Sequence, residues 1–420
     1  MHDPIDSNAT PANNEVVGPY SWYVLFVLAV VYVFNFIDRQ ILSILNEDIK
    51  ADLGLTDAHM GFLFGTAFAV FYAIFGLPLG RLADIWVRKN MIAIGLFFWS
   101  LMTVLSGTSR GFFSLATFRI GVGIGESSAS PAAWSMLSDY FPPHLRATAV
   151  AIYSGGVYVG AGVGMLIGGQ IVARWNSAFP VVAEAPFGLV GWQVAFFAVG
   201  ILGLIMTLWV WTLKEPERGR SEGLVPPPPH PAPFREFARE LAAVIPPFTI
   251  ITLAREVGTR SALMNLVIVA SCAGTAWGLT VTVGSPEQWI ALGIGLYAFF
   301  SWVQALKYRD PAAFAMIYAN KSMMFGLIGF ASCGFVTYGV GYWGAPFFMR
   351  VHGESTATVG TVLGLTAITA GWFGVTAGGV VSDWLKVRTP YARVYCGIFS
   401  ALAAIPPALI LISTEHVKVA

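Results

Sequence analysis

Apolar residues along this 420-residue chain come in long runs broken by short polar stretches. The runs lie near 22–44, 61–82, 90–108, 112–140, 147–173 and 192–213, and after a break near 262–284, 288–306, 323–349, 357–381 and 391–413. A bilayer core asks for roughly 20 mostly apolar residues per helical crossing. The pattern therefore predicts eleven spans, six and then five, and an all-α polytopic membrane fold.

Composition agrees. Hydrophobic residues are 56% and charged residues 11% of the chain, against roughly a quarter charged in an average soluble domain. Too little charge remains to solvate a globule of this size. The formal net charge of +1 gives no basic excess for nucleic acid. Cys272, Cys333 and Cys396 are far apart inside apolar runs, with neither disulfide nor metal-ligand spacing. The leader Met1–Ser21 has no Lys or Arg, so the first run is expected to stay in the mature protein rather than be cleaved as a signal.

Basic residues set the expected orientation. With the N-terminus in the cytoplasm, inner loops hold Arg81, Arg88, Lys89, Arg146, Lys214, the linker arginines Arg218 to Arg260, Lys307, Arg309, Lys321, Lys386, Arg388 and Arg393. Outer segments hold only Lys50, Arg110, Arg174, Arg350 and Lys418. That bias follows the positive-inside rule, although the tail itself is acidic (Asp3, Asp6, Glu15). The break at 214–260 contains Pro226–Pro229 and Pro231, a stiff extended spacer. After it, Phe234–Val244 has apolar residues at helical spacing among Arg235, Glu236, Arg239 and Glu240, which suits a helix on the inner membrane surface or in a solvated linker.

Thr56–Asp84 repeats as Ser355–Asp383 at an offset of 299, with Gly61, Gly65, Gly80 and Asp84 meeting Gly360, Gly364, Gly379 and Asp383. Each copy is an outer loop, a span and an inner loop. Duplicated halves in parallel orientation, with a substrate site between them near the midplane, are a common transporter plan.

Ionisable residues deep inside spans are few: Asp38 and Arg39 in the first, Arg119 and Glu126 in the fourth. Such charges are costly in hydrocarbon and mark function by default. Arg119 and Glu126 are two helical turns apart and share a face, as do Asn35 and Asp38. Losing water favours the protonated form of a carboxylate, while a nearby cation favours the ionised one. Alternating access changes both terms, so Asp38 and Glu126 are expected to respond to protons. Arg39 is expected to hold an anionic headgroup and Arg119 to orient Glu126. Asn35 and, by its place in the repeat, Tyr338 would add hydrogen bonds from opposite halves. In the fifth span Gly156, Gly160, Gly164 and Gly168 form one small face for close helix packing.

Gly80–Lys89, with its glycine, Asp84 four residues on and the basic pair Arg88-Lys89, resembles the signature loop of the major facilitator superfamily, and Gly379–Asp383 with Lys386 and Arg388 is a weaker copy. Asp84 is expected to reach Arg88 and a neighbouring helix terminus when the inner side is shut, and Asp383 to reach the start of the fifth span near Ala147. Gly164–Gly169 resembles the superfamily's antiporter motif, with Met165 where that motif has proline. Asn35–Arg39, Arg119–Ser127 with its Gly-Glu-Ser end, Ser138–Pro142 with Arg146, Glu215–Gly219 and Tyr342–Gly353 together resemble the Spinster family. That resemblance implies a lipid-related carrier of the sphingosine-phosphate or lysophospholipid type, proton-coupled in some members. A similar first helix in organic-anion symporters keeps small hydrophilic anions as the alternative, and a non-transporting scaffold or receptor is the alternative of another class.

A superfamily carrier has two six-helix halves, which implies here a tail (1–21), an N-terminal half (22–213), a linker (214–260), an inserted two-helix hairpin with its own linker (261–322) and an incomplete C-terminal half of three helices (323–420). Other chemistry finds little support. No Gly-Lys dipeptide offers a P-loop. All six histidines fall outside the predicted spans, and no cofactor, metal or enzymatic activity is expected.

Overall fold

The computed structural model describes residues 17–245 and 248–413. The acidic tail residues Asp3, Asp6 and Glu15, with His2, His416 and Lys418, lie outside the described residues. Among the described residues the chain is helical, without strands. Among the described residues nine helices are long and apolar enough to cross a membrane. They are the first span (Pro19–Ile44), the second (Asp57–Ile85), the third (Arg88–Ser106), the fifth (Pro143–Ala178), the sixth (Gly191–Trp211), the hairpin pair (Thr259–Val283 and Pro286–Arg309), the ninth (Lys321–Val351) and the tenth (Thr356–Lys386).

The other two predicted runs form helices that are each broken once. The fourth is Phe112–Glu126 followed by Ala129–Tyr140. At the joint the hydroxyls of Ser127 and Ser128 donate back to the carbonyls of Ile124 and Gly125, at 2.7 and 2.8 Å, a local bond that competes with the helix ladder. The last is Ala392–Ala403 followed by Ile405–Ser413. Pro406 and Pro407 follow that joint and have no N–H to offer the preceding turn. A π-type turn at Phe62–Thr66 interrupts the second span, one extra residue per turn of the kind common at functional positions.

The glycines of the fifth span explain how the bundle closes. A Cβ on Gly156 would lie 3.1 Å from the carbonyl oxygen of Ala29, and one on Gly164 would lie 3.0 Å from that of Ile37. The small face expected from the sequence is therefore the seat of the first span. A second glycine row, Gly155, Gly162 and Gly169, points the other way and receives the tenth span. Gly169 sits under the Thr356 carbonyl, and Gly360 under that of Met165, each leaving 2.6 Å for a Cβ.

The ninth span crosses the first at the repeat offset, so Arg39 faces Tyr338 and Ser43 faces Tyr342. Residues in equivalent positions of two repeats meet only where the axis relating them passes. The end of the bundle carrying 214–260 is here called the linker end, the opposite one the far end. The halves touch at the far end and part towards the linker end. Past the contact of Gly155 with Trp372, Gly374, Gly378 and Gly379 have nothing within 4 Å of a Cβ. Asp383 is exposed there and does not meet the start of the fifth span in this conformation.

Each hairpin helix holds the other through a buried polar set. Asn265 donates to Ser301 and Gln304 and accepts from the Tyr297 hydroxyl at 2.6 Å. The second hairpin helix packs on the second span, with Gly295 over Val70 and Ala298 in a small apolar cluster with Ile74 and Val244. The linker helix Pro233–Ala242 lies on the same span through Trp86 and Phe234, rings 4.9 Å apart. Its Glu240 pairs with Arg309 at the hairpin's end, and its Arg239 pairs with Glu256, which also holds Arg309.

Candidate functional site

The four intramembrane charges meet, but not in the expected pairs. Arg39 Nε donates to Glu126 Oε2 at 2.7 Å, and Glu126 is fully buried. Arg119 Nη1 instead donates to the backbone carbonyl of Asp38 at 3.2 Å. The expectation that Arg119 orients Glu126 is corrected here, because Arg39 from the neighbouring helix makes that bond. Two helical turns separate Arg119 from Glu126 by about 10 Å along the axis, too far for a shared face to become a contact. The Arg39 guanidinium also lies over the rings of Phe36, Phe68 and Tyr72 at 4.8, 4.6 and 4.9 Å, a cation–π collar that replaces water on its faces.

Tyr338 completes the site from the other half, its hydroxyl 3.5 Å from Arg39 Nη1. The cluster is under-satisfied. Glu126 Oε1, Asp38 Oδ1, Asn35 Oδ1 and Arg119 Nε are buried without a hydrogen-bond partner. Buried polar atoms are nearly always paired in proteins, so four orphans in one place need an explanation such as a proton, a water or a ligand. The break of the fourth span begins at the residue after Glu126. Interrupted helices near the midplane are where transporters place their sites. Among the described residues no group of three or more His, Cys, Asp or Glu could hold a metal ion.

At the linker end, which is parted in this conformation, the signature loop does not bring Asp84 to Arg88. Arg88 is 1% exposed and pairs with Asp139, Glu215 and the Ser135 hydroxyl, not with Asp84. The second span ends at Ile85 and the extended Trp86 turns the chain, so Arg88 opens the third span facing away from Asp84. Lys89 offers its backbone N–H to Glu215 at 2.9 Å. Arg218 takes the neighbouring place, donating to the carbonyls of Ala83 and Trp86 at the end of the second span, while Asp84 is exposed. Asp139 also accepts from the Gly219 N–H at 2.9 Å. These bonds connect the second, third, fourth and sixth spans, all of the first half.

The far end holds contacts that sequence reasoning missed. Tyr342, 2% exposed, donates its hydroxyl to the Met60 carbonyl at 3.0 Å and accepts from Asn46 at 2.6 Å. Above it Arg350 pairs with Glu47 and Asp57, and Lys50 with Asp57. The repeat offset carried a signal, since it sets Ser43 against Tyr342.

Comparison with known proteins fits this geometry. Residues 28–417 match the family model described as Major Facilitator Superfamily. The chain is 31% identical over 220 residues to the Probable galactarate/D-glucarate transporter of Bacillus subtilis, covering 50% of this chain and 44% of the relative. It is 29% identical over 217 residues to Protein spinster of Drosophila melanogaster, covering 52% of this chain and 33% of that one. The chain thus spans less than half the length of these curated relatives. Among solved structures, a bacterial homologue of the human lysosomal transporter Spinster, in an inward-facing and unoccupied conformation, superposes with a TM-score of 0.61 at 27% identity, over 96% of this chain and 70% of that one. The chain is a multi-pass integral membrane protein of the Major Facilitator Superfamily, Spinster-like within it.

Proposed function

We propose that the chain works as a secondary carrier of an amphipathic anion or zwitterion, lipid-like and coupled to protons, by alternating access. One observation carries this reading: Arg39, held in an aromatic collar, pairs with the fully buried Glu126 and is touched from the opposite half by Tyr338. An anion seated on Arg39 competes with Glu126 for the guanidinium. The released carboxylate is then buried without a counter-charge, a state that a proton relieves. Asp38, with an unpaired oxygen 81 residues from Arg119 in sequence and next to it in space, is the second proton-responsive acid. Asp84, Arg88, Lys89 and Asp383 belong to the gating elements at the linker end, where the positive residues place the cytoplasm. In that orientation the hairpin turn faces outward, and Ser285→Cys is expected to react with an impermeant maleimide added outside intact cells. Labelling only after permeabilisation would reverse the topology.

A second reading, a symporter of small hydrophilic organic anions, is favoured by relatives whose names are those of galactarate/D-glucarate, L-galactonate and hexuronate transporters. Thermal stabilisation screened over lysophospholipids, sphingosine phosphate and sugar acids separates the two. The lipid-like reading expects a shift with the lysolipids and none with galactarate. Uptake of the hit into proteoliposomes should then rise several-fold when a proton gradient is imposed. No uptake of any hit would leave a scaffold or receptor.

A further inference from the structure

The rim of the far end is ionic, but its pairs, Arg350 with Glu47 and Asp57 and Lys50 with Asp57, are between a quarter and a half exposed. Exposed pairs of this kind contribute little to closure. Below the rim the contact is buried and neutral. The Tyr342 ring stacks on Phe64 at 4.0 Å and 20°, with its hydroxyl between Asn46 and the Met60 carbonyl.

The backbone at this point is incomplete within its own helix. The carbonyl of Tyr342 would accept from the N–H four residues on, and that residue is Pro346, which has none. Ser43 Oγ from the first span supplies the bond instead, at 2.6 Å, and Gln40 Nε2 donates to the adjacent Gly341 carbonyl at 2.6 Å. A serine hydroxyl released from this contact can turn back to a carbonyl of its own helix. The Tyr342 carbonyl has no such substitute, and an unmet carbonyl at membrane depth is costly.

We propose that Ser43 and Tyr342 form the latch of the far end, in which the carbonyl that Pro346 leaves without a donor is satisfied across the two halves and the Tyr342 side chain fills the Asn46–Met60–Phe64 pocket. Tyr338 lies one turn before Tyr342 on the same helix and touches Arg39. The latch is therefore one helical turn from the charge cluster, and movement of Arg39 towards a ligand is transmitted to it through a single rigid helix. Ser43 and Tyr342 are positioning residues: they set the balance between conformations and do not touch the transported molecule. This inference rests on the alternating-access reading, but its test needs no substrate.

The experiment is a distance measurement between spin labels at Arg110→Cys and Val351→Cys, one on each half at the far end, in proteoliposomes and with the three native cysteines replaced by serine. Ser43→Ala should shift the population about fivefold from the short to the long distance, the scale of one hydrogen bond, and Ser43→Thr should restore it. Pro346→Ala returns an N–H to the ninth span, so in that background Ser43→Ala should cause no further shift. Tyr342→Phe should open the far end in the same direction as Ser43→Ala. An unchanged distance distribution in Ser43→Ala, or an equal shift with and without Pro346, overturns the latch. Failure of uptake with the distances behaving as described would count against the carrier reading alone.

Discussion

Glu126→Gln is expected to keep ligand binding and lose the response of transport to pH. The amide preserves the volume of the buried side chain and can still accept a bond from Arg39, but it cannot exchange a proton. Wild-type transport should change about tenfold or more between about pH 5 and pH 8, and the variant by less than about twofold, if one carboxylate carries the coupling. Ligand affinity should hold or improve, because the guanidinium no longer has a competing anion. Removing one partner of a buried pair is commonly destabilising by about 3–5 kcal/mol. Here the loss should be smaller, since Arg39 is 11% exposed and lies over three aromatic rings. Uptake measured over that pH range in proteoliposomes decides it. A variant with the wild-type pH profile would remove Glu126 from the coupling role and leave Asp38 as the candidate.

Gly360→Leu is expected to be among the most disruptive single substitutions in the chain. The tenth span lies so close to the fifth that a Cβ at this position would be 2.6 Å from the Met165 carbonyl and 3.3 Å from the Gly169 Cα. Both are backbone atoms, so no rotamer change relieves the clash and the helices must separate. Overpacking a tight contact typically costs about 1–3 kcal/mol, and here the separation also strains the far-end contacts of the ninth span. The thermal midpoint in detergent should fall by about 3–10 °C. Gly374→Leu, one face of the same helix where nothing lies within 4 Å, should move it by about 1 °C at most. Similar midpoints for the two variants would mean that the fifth and tenth spans are not held together by glycine-to-backbone packing.

Much of this architecture is one-dimensional information. Runs of apolar residues long enough for a bilayer need no partner to be recognised, because the cost of an unpaired backbone in lipid selects helices whatever surrounds them. The sequence therefore determined the positions of the helices, the hairpin and the linker helix. It also singled out Asp38, Arg39, Arg119 and Glu126, since a charge in an apolar run is conspicuous wherever the helix comes to lie. The four-residue row Gly156–Gly168 announced a close packing face in the same way.

Partners were decided only in three dimensions. Arg119 and Glu126 share a helix face, yet the rotation and offset of the first span against the fourth give Glu126 to Arg39. Asp84 and Arg88 are four apart, but the helix between them ends, and Arg88 is claimed by Asp139 and Glu215, which lie 51 and 127 residues further along. The second glycine row of the fifth span has no more contrast than any glycine at sevenfold spacing until the tenth span is laid on it. The role of Tyr342 depends on a carbonyl freed by Pro346 and a hydroxyl 299 residues away. Helix formation is written in local spacing; which groups satisfy one another depends on how the helices rotate and cross, and that is set by the packing of the whole bundle.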